Sequence, residues 1–287
     1  MASSLLCRLK CACSILALWL SNLPCSAHPD LMEQITSLTQ QLSEHDDSPA
    51  LFLKRADLFR RHAQFDAALA DIETAERLQT NTAGLNLDRA RVLCDARRAA
   101  ESYEEIQPFL QTNPNHGEAL IIRARCHALL GHAEASVVDY NNGIPRCLAP
   151  GPDLFLERAR QQALLGKFDD AAHGLDEAIT NSPTFSALQL AAVDYDRKRG
   201  AFDSALKRVA VFVNQYPVKE PWLTLRAEVL EQAGRAKEAT ETFQQVIAGI
   251  EKYPAIRRGL DLTRQLEQRA REGIARVQIN ARTVSKS

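Results

Sequence analysis

Three arginines recur along the sequence at nearly equal intervals. Arg91, Arg125 and Arg160 lie 34 and 35 residues apart. A guanidinium group binds a carboxylate through two parallel hydrogen bonds, a geometry that Lys does not reproduce. The equivalent positions on either side of the arginines are acidic: Asp57, Asp194 and Glu228. Two interpretations stay open. In the first, the arginines bind a carboxylate of a partner; in the second, they pair with neighbouring acids of the chain or are solvated.

An aliphatic residue precedes five of these charged positions by four residues. The aliphatic residues are Leu53, Leu87, Ile121, Leu156 and Leu190. Residues four apart lie on the same side of an α-helix. The good helix formers Ala, Leu, Arg, Glu and Gln dominate these segments, which favours helices. We therefore expect each aliphatic side chain to lie beside a charged one.

Motifs for catalysis and metal binding are missing from the sequence. It contains no Gly-rich phosphate loop, no nucleophile elbow and no His-Glu-x-x-His. It has no Cys-x-x-Cys, and none of its seven His belongs to a pair spaced for a metal. The net charge of −1 does not indicate nucleic-acid binding. We expect a protein that is not an enzyme and uses no cofactor or metal, with an unrecognised enzymatic site as the minor alternative.

The chain contains an internal repeat of 34 or 35 residues. One column of small residues consists of Ala68, Ser102, Ser136, Ala171, Ala205 and Ala239. A second column consists of Gly131, Gly166, Gly200 and Gly234. A third column consists of Ala56, Ala90, Ala124, Ala159, Val193 and Ala227. Three columns with one period indicate a repeat architecture, in which each unit buries its apolar face against its neighbours.

The repeat resembles the tetratricopeptide repeat (TPR) over about residues 49–253. The resemblance rests on the small columns, the turn glycines, the aromatic residues Phe65, Phe168 and Phe202, and the prolines Pro114, Pro183 and Pro217. The sequence departs from the TPR pattern at the early Trp, which is replaced by Phe52, Leu120, Phe155 and Leu223. Further departures are Ala99, Ala133 and Ala236 at an aromatic position, and Val193 at a small one.

The resemblance implies an all-α fold, an α-solenoid of antiparallel helix pairs with about six TPR units and a capping helix at each end. The expected units span residues 49–82, 83–116, 117–151, 152–185, 186–219 and 220–253. We predict an N-terminal capping helix and turn in residues 28–48, and a basic C-terminal capping helix and tail in residues 254–287, with one helix over residues 255–279. Pro145 lacks an amide hydrogen and should end or kink the second helix of the third unit.

The same resemblance implies a concave groove, lined by the first helix of each unit, that binds a protein or peptide. In the family the aliphatic and charged columns face this groove. The predicted contact residues are Leu53, Asp57, Leu87, Arg91, Ile121, Arg125, Leu156, Arg160, Leu190 and Asp194. Such a groove would suit an extended or helical segment with apolar side chains and a carboxylate. The identity of that partner does not follow from the sequence.

Residues 1–27 have the pattern of a secretory signal peptide. Arg8 and Lys10 precede an apolar run at residues 12–20, and small residues lead up to Ala27 as in a cleavage site. We therefore expect an exported protein, periplasmic or secreted, with an uncleaved membrane anchor as the alternative. Together with the repeat, this pattern predicts a scaffold or adaptor in a cell-envelope assembly.

The C-terminal segment is basic, since residues 255–287 hold eight Lys or Arg and three acids. The segment either attracts anionic lipid or an acidic partner, or forms the solvated outer face of a cap. Membrane contact is expected only through this helix. The alternative function is a structural or membrane-docked component of a secretion or polysaccharide-export machine.

Overall fold

The computed structural model describes residues 29–78, 84–183 and 185–284, and within these ranges the protein consists of helices without any strand. The all-α prediction is therefore confirmed. The predicted signal peptide, residues 1–27, lies outside the described residues. The chain divides into two compact units, residues 1–109 and 110–287.

The first unit contains a single N-terminal helix followed by helix pairs. Its helices are α1 (Pro29–Glu44), α2 (Pro49–Arg61), α3 (Phe65–Leu78) and α4 (Leu85–Asp95), and α5 (Ala99–Thr112) begins in it. Ala56, Ala68, Ile72, Leu85 and Val92 form its main buried apolar cluster. Leu31 and Ile35 of α1 are buried against Leu58 of α2, so α1 covers one side of the first helix pair.

The second unit continues the pattern of paired helices. It contains α6 (Gly117–Leu129), α7 (Ala133–Gly143), α8 (Pro152–Leu164), α9 (Phe168–Asn181), α10 (Ser186–Lys198), α11 (Phe202–Gln215), α12 (Glu220–Gln232), α13 (Ala236–Glu251), α14 (Ala255–Arg258) and α15 (Asp261–Val284). A short 3-10 helix, Ile144–Arg146, follows α7. The α-helix thus ends just before Pro145, as predicted from its missing amide hydrogen.

The single helix predicted over residues 255–279 is wrong. The structure has the short α14 and the long α15, separated by Gly259 and Leu260. Gly is a poor helix former, by about 1 kcal/mol relative to Ala, and Gly259 ends α14. Asp261 then opens α15, where a negative charge is favourable beside the positive end of the helix dipole.

The turn inside each helix pair has the same hydrogen-bond pattern in both units. The last turn of the first helix closes with a bond between residues five apart, as from Gln64 N to Phe59 O (2.8 Å) or from Lys167 N to Gln162 O (2.9 Å). This is the Schellman motif, which places one residue in the left-handed region and therefore favours Gly. The predicted glycines occupy that position, for example Gly166 at φ +72°, but Ala63 and Arg97 adopt it in the first two pairs.

The small residues allow the two helices of a pair to approach closely. Ala68, Ala171, Ala205 and Ala239 are fully buried. Where the column holds Ser, the hydroxyl donates a hydrogen bond to a carbonyl of the first helix: Ser102 to Ala90 O (2.7 Å) and Ser136 to Ala124 O (2.8 Å). The close approach explains why the column accepts only small residues.

An ion pair links the helices within several of the pairs. An Arg of the first helix binds an acid sixteen residues later: Arg55 with Asp71 (2.7 Å), Arg89 with Glu105 (3.4 Å) and Arg123 with Asp139 (2.7 Å). Hydrogen bonding to Asp71 raises the pKa of Arg55. This column of arginines is therefore structural, because it fastens one helix to the next by charge-assisted hydrogen bonds.

The α8–α9 pair has the Arg but lacks the acid. Arg158 donates to the backbone carbonyl of Gly174 (3.0 Å), and residue 174 is the position where the first three pairs have a carboxylate. Burial lowers the pKa of Arg158, and its Nε finds no hydrogen-bond acceptor. A partly buried cation that no carboxylate contacts by a hydrogen bond is a local weakness of this pair, although the charge of Glu177 acts on it from a distance.

We expect Gly174→Asp to raise the free energy of unfolding by about 1–2 kcal/mol, because it restores a charge-assisted hydrogen bond and removes a helical Gly. A Cβ at residue 174 would lie 3.0 Å from Arg158 Nη2, so this flexible side-chain end must shift slightly. Urea unfolding followed by circular dichroism measures the effect. Gly174→Asn is the matched control, and equal stability of the Asp and Asn variants would contradict the explanation.

Candidate functional site

In the first unit, two of the predicted contact residues line a cleft between α1 and α2. The cleft has a volume of about 610 Å³, and its walls include Leu53 and Asp57. Leu38 of α1 and Leu58 of α2 add apolar surface, and Gln34, Ser37, Gln41 and Lys54 add polar groups. The aliphatic and acidic side chains predicted to be adjacent are therefore adjacent here.

The charged residues of the predicted groove columns in this unit pair with neighbouring charges. Arg91 pairs with Asp88 of its own helix at 2.7 Å. Arg60 pairs with Asp57 at 2.7 Å and with Asp95 of α4 at 2.6 Å, so it joins two first helices. Leu87 is partly buried. For Arg91, the interpretation in which the guanidinium pairs with a neighbouring acid describes the observed contact.

In the second unit, Arg125 is also held by an acid of the protein. Its Nε and Nη2 donate to the two carboxylate oxygens of Glu157 at 2.9 and 3.1 Å. The hydroxyl of Tyr140 donates to the same carboxylate at 2.9 Å. Glu157 belongs to α8, so this bidentate contact links two first helices instead of pointing toward a ligand.

The two aliphatic residues predicted for the groove in α6 and α8 lie in the core. Ile121 is 4% exposed and Leu156 is 7% exposed, and both belong to the largest buried cluster of the second unit. Neighbouring helices cover them from both sides, which the spacing of four residues cannot reveal. They stabilise the unit through buried apolar area and offer little surface to a partner.

Arg160 of α8 differs from the other two arginines. It is exposed and makes no hydrogen bond or ion pair with the described residues. One turn later on α8, Leu164 is 73% exposed, and on α10 Leu190 is 38% exposed. Asp194 of α10 pairs with Lys198 at 2.8 Å in an exposed contact. We call Arg160, Leu164, Leu190, Asp194 and Lys198 the α8–α10 face.

The charges of the α8–α10 face meet around Tyr195, which is only 6% exposed. Burial raises the pKa of Tyr195, Asp194 raises it further, and Lys198 and Arg160 lower it. Lys198 Nζ also lies 5.7 Å from the centroids of the Tyr195 and Phe168 rings. The face is thus a small cationic surface with aromatic and aliphatic neighbours and one internal carboxylate.

The arginines of the basic C-terminal helix are largely neutralised. Those of α15 whose side chains are described form four ion pairs: Arg264 with Asp261, Arg269 with Glu228, Arg271 with Glu267, and Arg276 with Glu231. Two of these pairs reach α12, so they dock α15 against the last helix pair. Two arginines of α15 therefore attach the helix to α12, and two others pair with acids of α15 itself.

Within the described ranges, no group of His, Cys, Asp and Glu side chains is arranged to hold a metal. No described helix is both long and apolar enough to cross a bilayer.

Comparison with solved structures decides the fold. No family model and no curated protein matches the sequence. A tetratricopeptide repeat protein from Parabacteroides merdae superposes with a TM-score of 0.50 at 16% identity, covering 84% of this chain and 92% of that one. The fold is that of tetratricopeptide repeat proteins. The C-terminal part of a TPR repeat-containing protein from Cytophaga hutchinsonii gives the same TM-score of 0.50, at 15% identity over 86% of this chain and 90% of that one.

The TPR-fold geometry also identifies residues that the sequence analysis did not select. Leu164 lies four residues after Arg160, just as Leu156 lies four residues before it. The rule that residues four apart share one side of a helix therefore also predicts that Leu164 lies beside Arg160. Lys198 follows Asp194 by the same interval. Glu157 carried no comparable signal, because its contact with Arg125 joins residues that are 32 positions apart.

Proposed function

We propose that this TPR-fold protein is a scaffold that binds a protein or peptide segment on the α8–α10 face. A carboxylate of the partner pairs with Arg160, and apolar side chains of the partner cover Leu164 and Leu190. The observation that carries this proposal is the contrast between Arg160, which is exposed and has no described partner, and Arg125, which Glu157 holds in a bidentate contact.

The energetics favour this face over the other two arginines. A partner that bound Arg125 would have to displace Glu157 and also break its contact with Tyr140. At Arg160 a carboxylate gains a charge-assisted hydrogen bond without displacing another acid. Covering Leu164, which is 73% exposed, adds apolar burial at about 25 cal/mol per Å². The negative charge of Asp194 would repel a second acid of the partner. The proposed binding motif of the partner therefore has a single carboxylate beside apolar residues.

Selection from a displayed random peptide library against the full chain tests this preference. The enriched peptides should contain Asp or Glu close to Leu, Ile or Phe. Arg160→Glu should weaken the selected peptides about tenfold or more, because a charge-assisted hydrogen bond becomes a repulsion. Lys207→Glu is the matched control, since it changes charge equally at an exposed position of α11. Similar losses in both variants would contradict the assignment.

The proposal extends to location. We infer export, with cleavage after Ala27, from the basic, apolar and small-residue order of residues 1–27. The scaffold would then act in a cell-envelope assembly, with a structural or membrane-docked component of an export machine as the second candidate. N-terminal sequencing of the protein recovered from its native cells should start at His28. A mature chain that still starts at residue 1 would contradict cleavage and favour an uncleaved anchor.

A further inference from the structure

Residues 252–262, called the connection here, comprise the link from α13 to α15 and the first two residues of α15, and they present three large apolar side chains to solvent. Ile256, Leu260 and Leu262 are 88%, 55% and 76% exposed. Single exposed apolar residues are common on protein surfaces and need no explanation. Three of them within seven residues form a patch, and exposed apolar patches mark interaction sites.

Unpaired cations flank this patch. Lys252 and Arg258 are exposed, and neither makes a side-chain hydrogen bond or ion pair with the described residues. The acid inside the connection, Asp261, is already bound to Arg264 at 2.6 Å. The arginines of α15 whose side chains are described are all in ion pairs, so Lys252 and Arg258 are the cations of the connection that remain available to a partner. The exposed acid Glu251 precedes Lys252 in the sequence.

Tyr253 makes one contact that fixes the connection to α12 and one contact within the connection. Its hydroxyl donates to Glu220 of α12, and the guanidinium carbon of Arg257 lies 3.8 Å from the centroid of its ring. Burial and the hydrogen bond to Glu220 raise the pKa of Tyr253 to about 12. The exposed side chains are therefore presented from an anchored segment.

We propose that residues 252–262 bind the surface of an anionic phospholipid bilayer. Ile256, Leu260 and Leu262 enter the boundary between headgroups and acyl chains, and Lys252 and Arg258 contact lipid phosphates. The bilayer is the favoured occupant because the patch joins protruding apolar side chains to cations without protein partners. Apolar burial and attraction to anionic lipid are the two terms that hold a protein at a membrane interface. This site is separate from the α8–α10 face, and each proposal stands or fails without the other.

Co-sedimentation of the full chain with phosphatidylcholine vesicles, with and without phosphatidylglycerol, tests the proposal. Binding should require phosphatidylglycerol and weaken as salt is added. Lys252→Gln combined with Arg258→Gln should lower the partition coefficient roughly 25-fold, since each basic residue contributes about fivefold at an anionic surface. Ile256→Ser combined with Leu262→Ser should weaken binding at least tenfold by the loss of apolar burial. Val138→Ser, which changes an apolar residue of α7 that is 55% exposed, should bind as the parent does.

A second measurement locates the contact. An Ile256→Trp variant should gain fluorescence that is quenched by lipids with brominated acyl chains, beyond the quenching of the parent chain. The proposal would be overturned if binding of the parent chain did not depend on anionic lipid. It would also be overturned if all variants bound equally, which would assign binding to the apolar run at residues 12–20. A third contradicting result would be an Ile256→Trp variant whose added fluorescence is not quenched by the brominated lipids. Loss of self-association in the Ser variants without vesicles, with unchanged lipid binding, would assign the patch to a second copy of the chain.

Discussion

Replacing Asp196 with Ala is expected to lower the free energy of unfolding of the second unit by about 3–5 kcal/mol. Asp196 is fully buried, and its carboxylate accepts hydrogen bonds from Arg199 at 2.9 and 2.8 Å and from Arg208 at 2.8 Å. Removing the carboxylate takes three charge-assisted hydrogen bonds away from two guanidinium groups. Each guanidinium keeps one other acid, Asp169 for Arg199 and Asp176 for Arg208, but both of these acids are exposed and compensate less than the buried carboxylate does. Urea unfolding monitored by circular dichroism measures the loss.

Asp194→Ala is the matched control for this experiment. Asp194 lies two residues away on the same helix, but its side chain is 49% exposed and pairs only with Lys198. An exposed pair of this kind contributes at most about 1 kcal/mol. Asp196→Asn keeps an acceptor while removing the charge, so its stability should lie between those of the parent and the Ala variant. Equal losses in the free energy of unfolding for Asp194→Ala and Asp196→Ala would contradict this explanation.

Phe243→Ala is expected to cost about 3–5 kcal/mol, because it opens a cavity between α13 and α15. The Phe243 ring is fully buried among Ala227, Val246, Ile250 and Ala270. It also fills the space above Gly273, where a built Cβ would overlap the ring. Thermal unfolding of the variant, together with limited proteolysis of α15, measures both the lost stability and the loosened helix.

Two further variants separate the cavity from a general effect of losing apolar surface. Ile256→Ala also truncates a large apolar side chain to Ala, but at a position that is 88% exposed, and its effect should stay within about 0.5 kcal/mol. Gly273→Ala would ordinarily stabilise a helix, but here it should cost about 1–3 kcal/mol through overpacking against Phe243. If Gly273→Ala stabilised the protein, the inferred contact between α13 and α15 would be incorrect.

The helices and their turns could be predicted because their causes are local. Small residues, turn glycines and Pro145 act on their own backbone or on the helix directly beside them. Ala63 and Arg97 adopt the left-handed conformation without Gly, because the same Schellman hydrogen bonds close their turns. The break at Gly259 was missed because the helical spacing of apolar residues continues on both sides of it.

The candidate site was less predictable because exposure and ion pairing depend on distant residues. The spacing rule treats Arg125 and Arg160 alike, but only Arg125 meets Glu157 from the following first helix. It also treats Leu156 and Leu190 alike, whereas their exposures are 7% and 38%. These differences arise from neighbouring repeats, and a single repeat's sequence does not contain them.

The ion pairs between helices also limit recombination among the repeats. In the α10–α11 pair the charges are reversed: Arg208 stands on the second helix, and it binds Asp196 of its own pair and Asp176 of the preceding one at 2.8 and 2.7 Å. Replacing α10–α11 by a second copy of α8–α9 would remove Arg208 and leave Asp176 without this ion-pair partner. It would also add a second copy of Arg158, which has no acid sixteen residues later. Repeats that share one period are therefore not exchangeable parts, and their order along the gene is constrained by charge.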